Sequence, residues 1–412
     1  MSYRAKKTTL LASIGAGLEY YDFIVYGMMV VYLNALFFSS SEGWVNQMKA
    51  FGVFAAGYLA RPFGGILFGM IGDAFGRKKS FLAVMMLMAL ATLAIGLLPT
   101  ESQIGEYAAV LLIIFRVLQG LSFGAELPGA ITVVYEHSEK KERALHSGFV
   151  ISSVTLGSLL ASLVLFILTK VLSDSEILAW GWRIPFLFGG TLAIINAFIR
   201  KHLQETPEYL ESAKNRPDRF GLKSPLLLLA SNHWKEALFG IGTTLFLSSL
   251  VIFVLYLPAF LAANFGFAQS VIYLAMTCSM GWSALILPFF GAIADRWSPA
   301  ALFRTATFGF AVLAFPLFYL LTSSLGLIIF MLIYQTLLSA ATTSYFPLLS
   351  ALFPTQARYT GVALSYNVSY ALMGLSPVFY TLLTARFEPY AVIWFLIPCA
   401  LLSGLSSFWT RR

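Results

Sequence analysis

Twelve apolar stretches, most of them near the roughly 20 residues a helix needs to cross a bilayer, fill this chain almost from end to end. They run over residues 10–37, 50–71, 80–98, 106–134, 145–169, 183–200, 236–262, 269–294, 302–322, 325–349, 360–384 and 389–408. No gap between them is long enough for a soluble domain. Hydrocarbon offers the backbone no partner for its N–H and C=O groups, so runs of this length demand helices. A water-soluble alternative is closed off by composition. With 58% hydrophobic and 11% charged residues, against about 25% charged in soluble domains, the chain holds more apolar surface than a globule can hide.

The largest gap carries Glu205, Thr206, Pro207 and Glu208 and the polar run from Lys214 to Arg219. It divides the chain into an N-terminal six-helix bundle (1–201), a cytoplasmic linker (202–235) and a C-terminal six-helix bundle (236–412). The expected fold class is an all-α membrane protein of twelve transmembrane helices in two six-helix bundles.

The net charge of +8 invites a nucleic-acid reading until the basic residues are located. Of 27, all but six fall on one side when the N-terminus is placed in the cytoplasm. Lys49, Lys170, Arg183 and Arg386 lie on the other side, and Arg61 and Arg116 lie within spans. That asymmetry is a topology signal, so no nucleic-acid partner is expected. The basic and apolar start could pass for a signal peptide, but its apolar run continues to Phe38 and carries Glu19 and Asp22, so it is read as a retained first helix. Cys278 and Cys399 stand singly in apolar runs, and His137, His146, His202 and His233 fall in or beside cytoplasmic loops. Neither a metal site, a nucleotide loop nor a nucleophilic triad emerges. No cofactor, no metal and no enzyme activity are expected.

Two internal echoes support a duplicated six-helix unit. Gly69, Asp73, Gly76, Arg77, Lys78 and Lys79 follow the second stretch, and Gly291, Asp295 and Arg296 follow the eighth with the same glycine-to-aspartate spacing. Glu142-Arg-Ala144 precedes the fifth stretch as Ala357-Arg-Tyr359 precedes the eleventh. Two such halves rocking about a mid-membrane site are the pattern of secondary transporters.

These residues also carry a resemblance. Arg61-Pro-Phe-Gly-Gly-Ile-Leu-Phe-Gly69, continuing through Asp73 to Lys79, resembles the loop signature of the major facilitator superfamily. Gly17-Leu-Glu-Tyr-Tyr-Asp-Phe23, Arg116-Val-Leu-Gln-Gly120, Gly124-Ala-Glu126, Gly181-Trp-Arg-Ile-Pro-Phe186, Glu205-Thr-Pro207, Phe353-Pro-Thr355 and Arg358-Tyr-Thr-Gly361 resemble its metabolite:proton symporter branch. That branch includes proline/betaine, citrate, α-ketoglutarate and shikimate permeases. Ala125 stands where the branch usually has Gly, and Ser298 and Pro299 replace Gly and Arg in the second loop signature. The sequence ends without the charged heptad tail of osmosensing betaine carriers, so a coiled-coil osmosensor is not expected. Within the first signature Gly69, Asp73 and Arg77 are expected to form a conformational clasp: the glycine admits a neighbouring helix, while the aspartate accepts from Arg77 and caps a helix of the opposite half.

Glu19, Asp22, Arg61, Arg116 and Glu126 fall inside spans, all in the N-terminal half. Unpaired at the bilayer centre each would cost about 2.5–3.5 kcal/mol, roughly 15 kcal/mol for the set, so pairing or a wet cavity is required. At about 1.5 Å per residue, Asp22 lies about 18 Å from the inner end of its helix, and Arg61 and Arg116 about 15–17 Å from the outer ends of theirs. The three meet near mid-depth. Asp22 is therefore expected to carry the proton, with Arg116 as its switchable partner and Glu19, one turn away, as a second carrier. Distant sugar porters arrange a first-helix acid and a fourth-helix arginine similarly. A static ion pair is the alternative. Glu126, about 15 Å beyond Arg116, is expected to couple nearer the cytoplasmic mouth. Tyr26, Arg61, Arg116, Gln335, Tyr366, Asn367 and Tyr370 are the expected substrate-binding residues.

The function expected is proton-coupled secondary active import of a small carboxylate-bearing or zwitterionic metabolite (amino acid, betaine or organic acid) by alternating access. A proton-driven drug or metabolite exporter is the alternative, and a transport-dead receptor a third. The expected partners are protons, a small-molecule substrate and the lipid bilayer. The expected state is a monomer in the plasma membrane (bacterial inner membrane), multi-pass, with both termini cytoplasmic.

Overall fold

The computed structural model describes residues 16–18, 20–38, 43–75, 77–124, 126–200, 229–354 and 358–411; side chains at 43, 69–75, 77–81, 126, 133, 136–137, 197–200 and 410–411 are outside the description. Every regular element among the described residues is helical. Nine helices are long and apolar enough to cross a membrane, and two further spans are bent pairs. The third predicted stretch is the helix Arg77–Leu97, whose apolar part is Leu82–Leu97.

The first span is Ala16–Met28 with Val30–Phe37, the second Gly43–Phe75 and the third Arg77–Leu97. Tyr107–Phe123 and Glu126–His137 make the fourth. The fifth is Arg143–Val171, and the sixth is Arg183–Arg200 behind a bent entry from Asp174. Trp234–Phe265, Gln269–Arg296, Pro299–Phe318 and Ser324–Ala351 are the seventh to tenth. Arg358–Gly374 and Ser376–Arg386 share the eleventh, and Ile393–Ser406 is the twelfth. Most of the expected linker, 201–228, lies outside the described residues.

The helices differ from the sequence reading chiefly where they begin and bend. The second starts at Gly43 rather than residue 50, because Asn46, Gln47 and Lys49, too polar for an apolar run, continue the helix at the membrane surface. The first bends by 56° at Met29. There the Tyr273 hydroxyl donates to the Met28 carbonyl (2.7 Å), and the Tyr32 amide turns to Met29 O (3.0 Å) instead. An inserted hydroxyl of this kind is a recognised cause of helix kinks. The eleventh breaks before Pro377, which has no N–H to continue the ladder.

The seventh span has 83% of its apolar window buried, against 44–61% for the other eight unbent spans. It therefore runs through the interior, while the others turn one face to lipid. Phe63, Leu285, Phe289 and Val312 are among those lipid-facing residues. The two halves meet along two seams, fifth against eighth and second against eleventh. These seams enclose the site.

Candidate functional site

Between the halves lies a cavity of about 90 Å³. Tyr20 and Leu127 wall it from the N-terminal half, and Leu247, Gln335, Tyr366 and Tyr370 from the other. A water needs about 10–15 Å³ of such space, so the cavity takes several waters or one small solute. No ionised side chain lines it among the described residues. Most lining hydroxyls are already satisfied. Thr155 donates to Ile151 O (2.9 Å) and Thr342 to Leu338 O (2.7 Å), while Ser283 and Ser339 pair at 2.8 Å. The Gln335 amide lines the space and makes no hydrogen bond within the described residues.

Of the expected substrate residues, Gln335, Tyr366 and Tyr370 reach the cavity. The other four do not line it in this state. Tyr26 donates to Ala50 O (3.2 Å), and Asn367 donates to Gly124 O (2.7 Å), tying the eleventh span to the fourth. Arg61 is 1% exposed and stands behind Tyr366 and Tyr370, with its guanidinium carbon 5.3 and 4.9 Å from their ring centroids.

Asp22 and Arg116 are both fully buried and form no ion pair with each other in this structure. Both Asp22 carboxylate oxygens are without a hydrogen-bond partner. Arg116 Nη1 donates to Phe23 O (3.0 Å), one residue along the same helix, and to Gln119 Oε1 (2.9 Å). Gln119 in turn donates to Thr92 Oγ1 (2.9 Å) on the third span. The Phe23 and Tyr26 rings stand 4.3 and 4.6 Å from the guanidinium carbon. The reason for the separation is geometric. Asp22 faces the sixth span, where Gly189 leaves room that any β-carbon would take from Asp22 Oδ1 and the Tyr21 ring. Arg116 instead fills space over Gly57 of the second span.

The expected clasp falls on Gly69, Asp73 and Arg77, whose side chains lie outside the described residues, as do Glu19 and the side chain of Glu126. The equivalent contact is present in the second copy. Asp295 Oδ1 accepts from Ala144 N (2.9 Å) and Oδ2 from Leu145 N (2.8 Å). The fifth span has no side-chain cap of its own, so the eighth supplies one across the seam. Nearby, Ser152 donates to Ala284 O (2.6 Å). Toward the opposite ends of the spans the halves also touch, through Tyr273 on Met28 O and Phe51 against Tyr256 (5.0 Å between centroids). The cavity thus has contacts between the halves on both sides.

Gln119, Thr92, Gly189, Tyr58 and Phe123 were not among the expected residues. Gln119 sits three residues after Arg116, on the same helix face, so its spacing was a usable signal. Tyr58 stands likewise three residues before Arg61. Nothing local marks Thr92 or Gly189, which matter only through what folds against them.

A bundle of two six-helix halves with a cavity between them and a buried acid and two buried arginines beside it has the architecture of a secondary active transporter. The family model for sugar (and other) transporters matches residues 8–220, and this chain belongs to that family of the major facilitator superfamily. It is 30% identical over 383 residues to the glycine betaine/proline/ectoine/pipecolic acid transporter OusA of Dickeya dadantii, covering 91% of this chain and 76% of that one. The proline/betaine transporter of Escherichia coli K12 is likewise 30% identical over 383 residues, covering 91% and 77%. Among solved structures, a partially occluded inward-open conformation of the xylose transporter XylE from E. coli superposes with a TM-score of 0.78 at 18% identity, over 100% of this chain and 98% of that one. That likeness is one of fold.

Proposed function

We propose that this protein imports a small zwitterion, an amino acid or betaine, together with a proton, by alternating access across a bacterial plasma membrane. Both termini lie on the cytoplasmic side in this reading, the 202–235 linker joins the two bundles there, and the transporter works as a monomer. The observation that carries it is Asp22: a fully buried carboxyl group with neither oxygen partnered. Left ionised there it costs about 2.5–3.5 kcal/mol, and a proton removes that cost. Arg116, anchored one residue away at Phe23 O, is the cation whose approach or withdrawal would decide whether Asp22 keeps the proton. Glu19 serves as a second carrier and Glu126 acts nearer the cytoplasmic mouth.

The cavity chemistry supports the zwitterion over a dicarboxylate. Its lining includes three tyrosines and one unpaired amide and, among the described residues, no cation. A dianion would be left without a counter-charge, whereas a dispersed ammonium suits aromatic faces and a single carboxylate can accept from Gln335. Arg61, Tyr26 and Asn367 join the substrate only in another state of the cycle. The relatives' printed substrates, betaine and proline among them, agree with this choice.

The test is uptake of labelled glycine betaine, L-proline and dicarboxylates into proteoliposomes under an imposed proton gradient. Zwitterions are expected to accumulate. Asp22→Asn is expected to abolish accumulation while leaving exchange measurable. Undiminished accumulation in that variant removes the proton role from Asp22, and flux only outward removes import.

A further inference from the structure

The Arg61 guanidinium is held by rings. Its central carbon lies 5.5 Å from the centroid of Phe23, 5.2 Å from Tyr58, 4.7 Å from Phe123, 5.3 Å from Tyr366 and 4.9 Å from Tyr370. All five are within the range at which a ring's negative face attracts a cation. Arg61 Nε and Nη2 have no hydrogen-bond partner. Three of the rings come from the first, second and fourth spans and two from the eleventh, so the cation joins the N-terminal half to the C-terminal half.

Tyr366 and Tyr370 have a second neighbour, because both also line the central cavity. Both rings therefore contact a permanent cation, Arg61, that does not itself line the cavity, and also border whatever occupies it. A ring polarised toward one cation attracts a second one less, and two like charges across it repel strongly at low dielectric. The substrate cation and Arg61 cannot both be held well.

We propose that Arg61 is a latch between the halves and that the cationic group of a bound substrate releases it by taking over Tyr366 and Tyr370 from the cavity side. The proposal rests on the reading that the cavity accepts a solute bearing such a group. It gives substrate binding a route to the second–eleventh seam, where Asn367, beside Tyr366, holds Gly124 O. An empty carrier stays latched by its own arginine. A loaded one is free to rock.

The probes are glycine betaine and tetramethylammonium, titrated calorimetrically into the full chain in lipid nanodiscs. Arg61→Met, which keeps bulk and removes charge, is expected to bind both 3- to 10-fold more tightly than wild type. Arg61→Lys, which keeps the cation, is expected to stay within twofold. In otherwise wild-type protein with Cys278 and Cys399 replaced by Ala, spin labels at Leu59→Cys and Leu372→Cys are expected to show a broader distance distribution once glycine betaine saturates. That measurement does not depend on the Arg61 variants folding. Binding of both probes with unchanged affinity in Arg61→Met, or an unchanged distance distribution at saturation, overturns the latch and leaves the substrate reading standing. If neither probe binds although another cargo accumulates under a proton gradient, the zwitterion reading fails and the release mechanism falls with it.

Discussion

Asp22 and Gly189 work as one unit, an acid and the space left for it. The carboxyl group lies against the sixth span at the point where a side chain is missing, and that geometry keeps it off Arg116. Gly189→Val should therefore cost about 1–3 kcal/mol by overpacking and uncouple uptake from the proton gradient. Combining it with Asp22→Ala should recover part of the lost thermal midpoint, the Tyr21 ring still being crowded, without restoring coupling. A double variant no more stable than Gly189→Val alone would mean that the glycine serves some contact other than Asp22. Gln119 occupies the complementary position on the other side, holding Arg116 toward Thr92.

Among helices, the fifth and eighth carry the plainest mechanical link. Ala144 and Leu145 are first-turn amides that their own helix leaves unbonded, and Asp295 of the other half accepts from both. Removing such a cap costs about 0.5–2 kcal/mol. Asp295→Ala is thus expected to weaken this seam, raising the alkylation rate of Ser152→Cys severalfold from the side on which Asp295 lies. Asp295→Asn, which keeps one acceptor oxygen, should fall between. Equal rates in all three would place the holding contacts of the seam elsewhere. The first span shows the same borrowing in reverse, its kink at Met29 stabilised by a hydroxyl from the eighth.

For the molecule as a whole, contacts between the halves on both sides of the cavity mean that rocking one half against the other requires one set to part. Ser152→Cys with Ala284→Cys places a thiol pair across the fifth–eighth seam, where the native hydroxyl reaches the facing carbonyl at 2.6 Å. Oxidising the pair should stop net uptake, and dithiothreitol should restore it. Continued flux through the cross-linked protein would rule out rocking of the two halves. The asymmetry between the halves sharpens the division of labour. Among the described residues the buried carboxylate and arginines, Asp22, Arg61 and Arg116, are in the first, and the cavity's unpaired amide and two of its tyrosines are in the second.

The number and class of the spans, the duplicated loop signature and the burial of Asp22, Arg61 and Arg116 could be read from residue order, because the cost of exposing backbone or charge to hydrocarbon acts on each stretch separately. Asp295 could be anticipated from Asp73 for the same reason, a short-range pattern repeated. Which way each charge faces could not. Asp22 and Arg116 share a depth, yet Gly189 draws one aside and Gln119 holds the other. The depth of Arg61 is legible in its span, but the five rings from four helices that surround it are not. Those placements depend on side chains far apart in the chain competing for the same few cubic ångströms, and close packing settles such a contest only when all the helices are assembled.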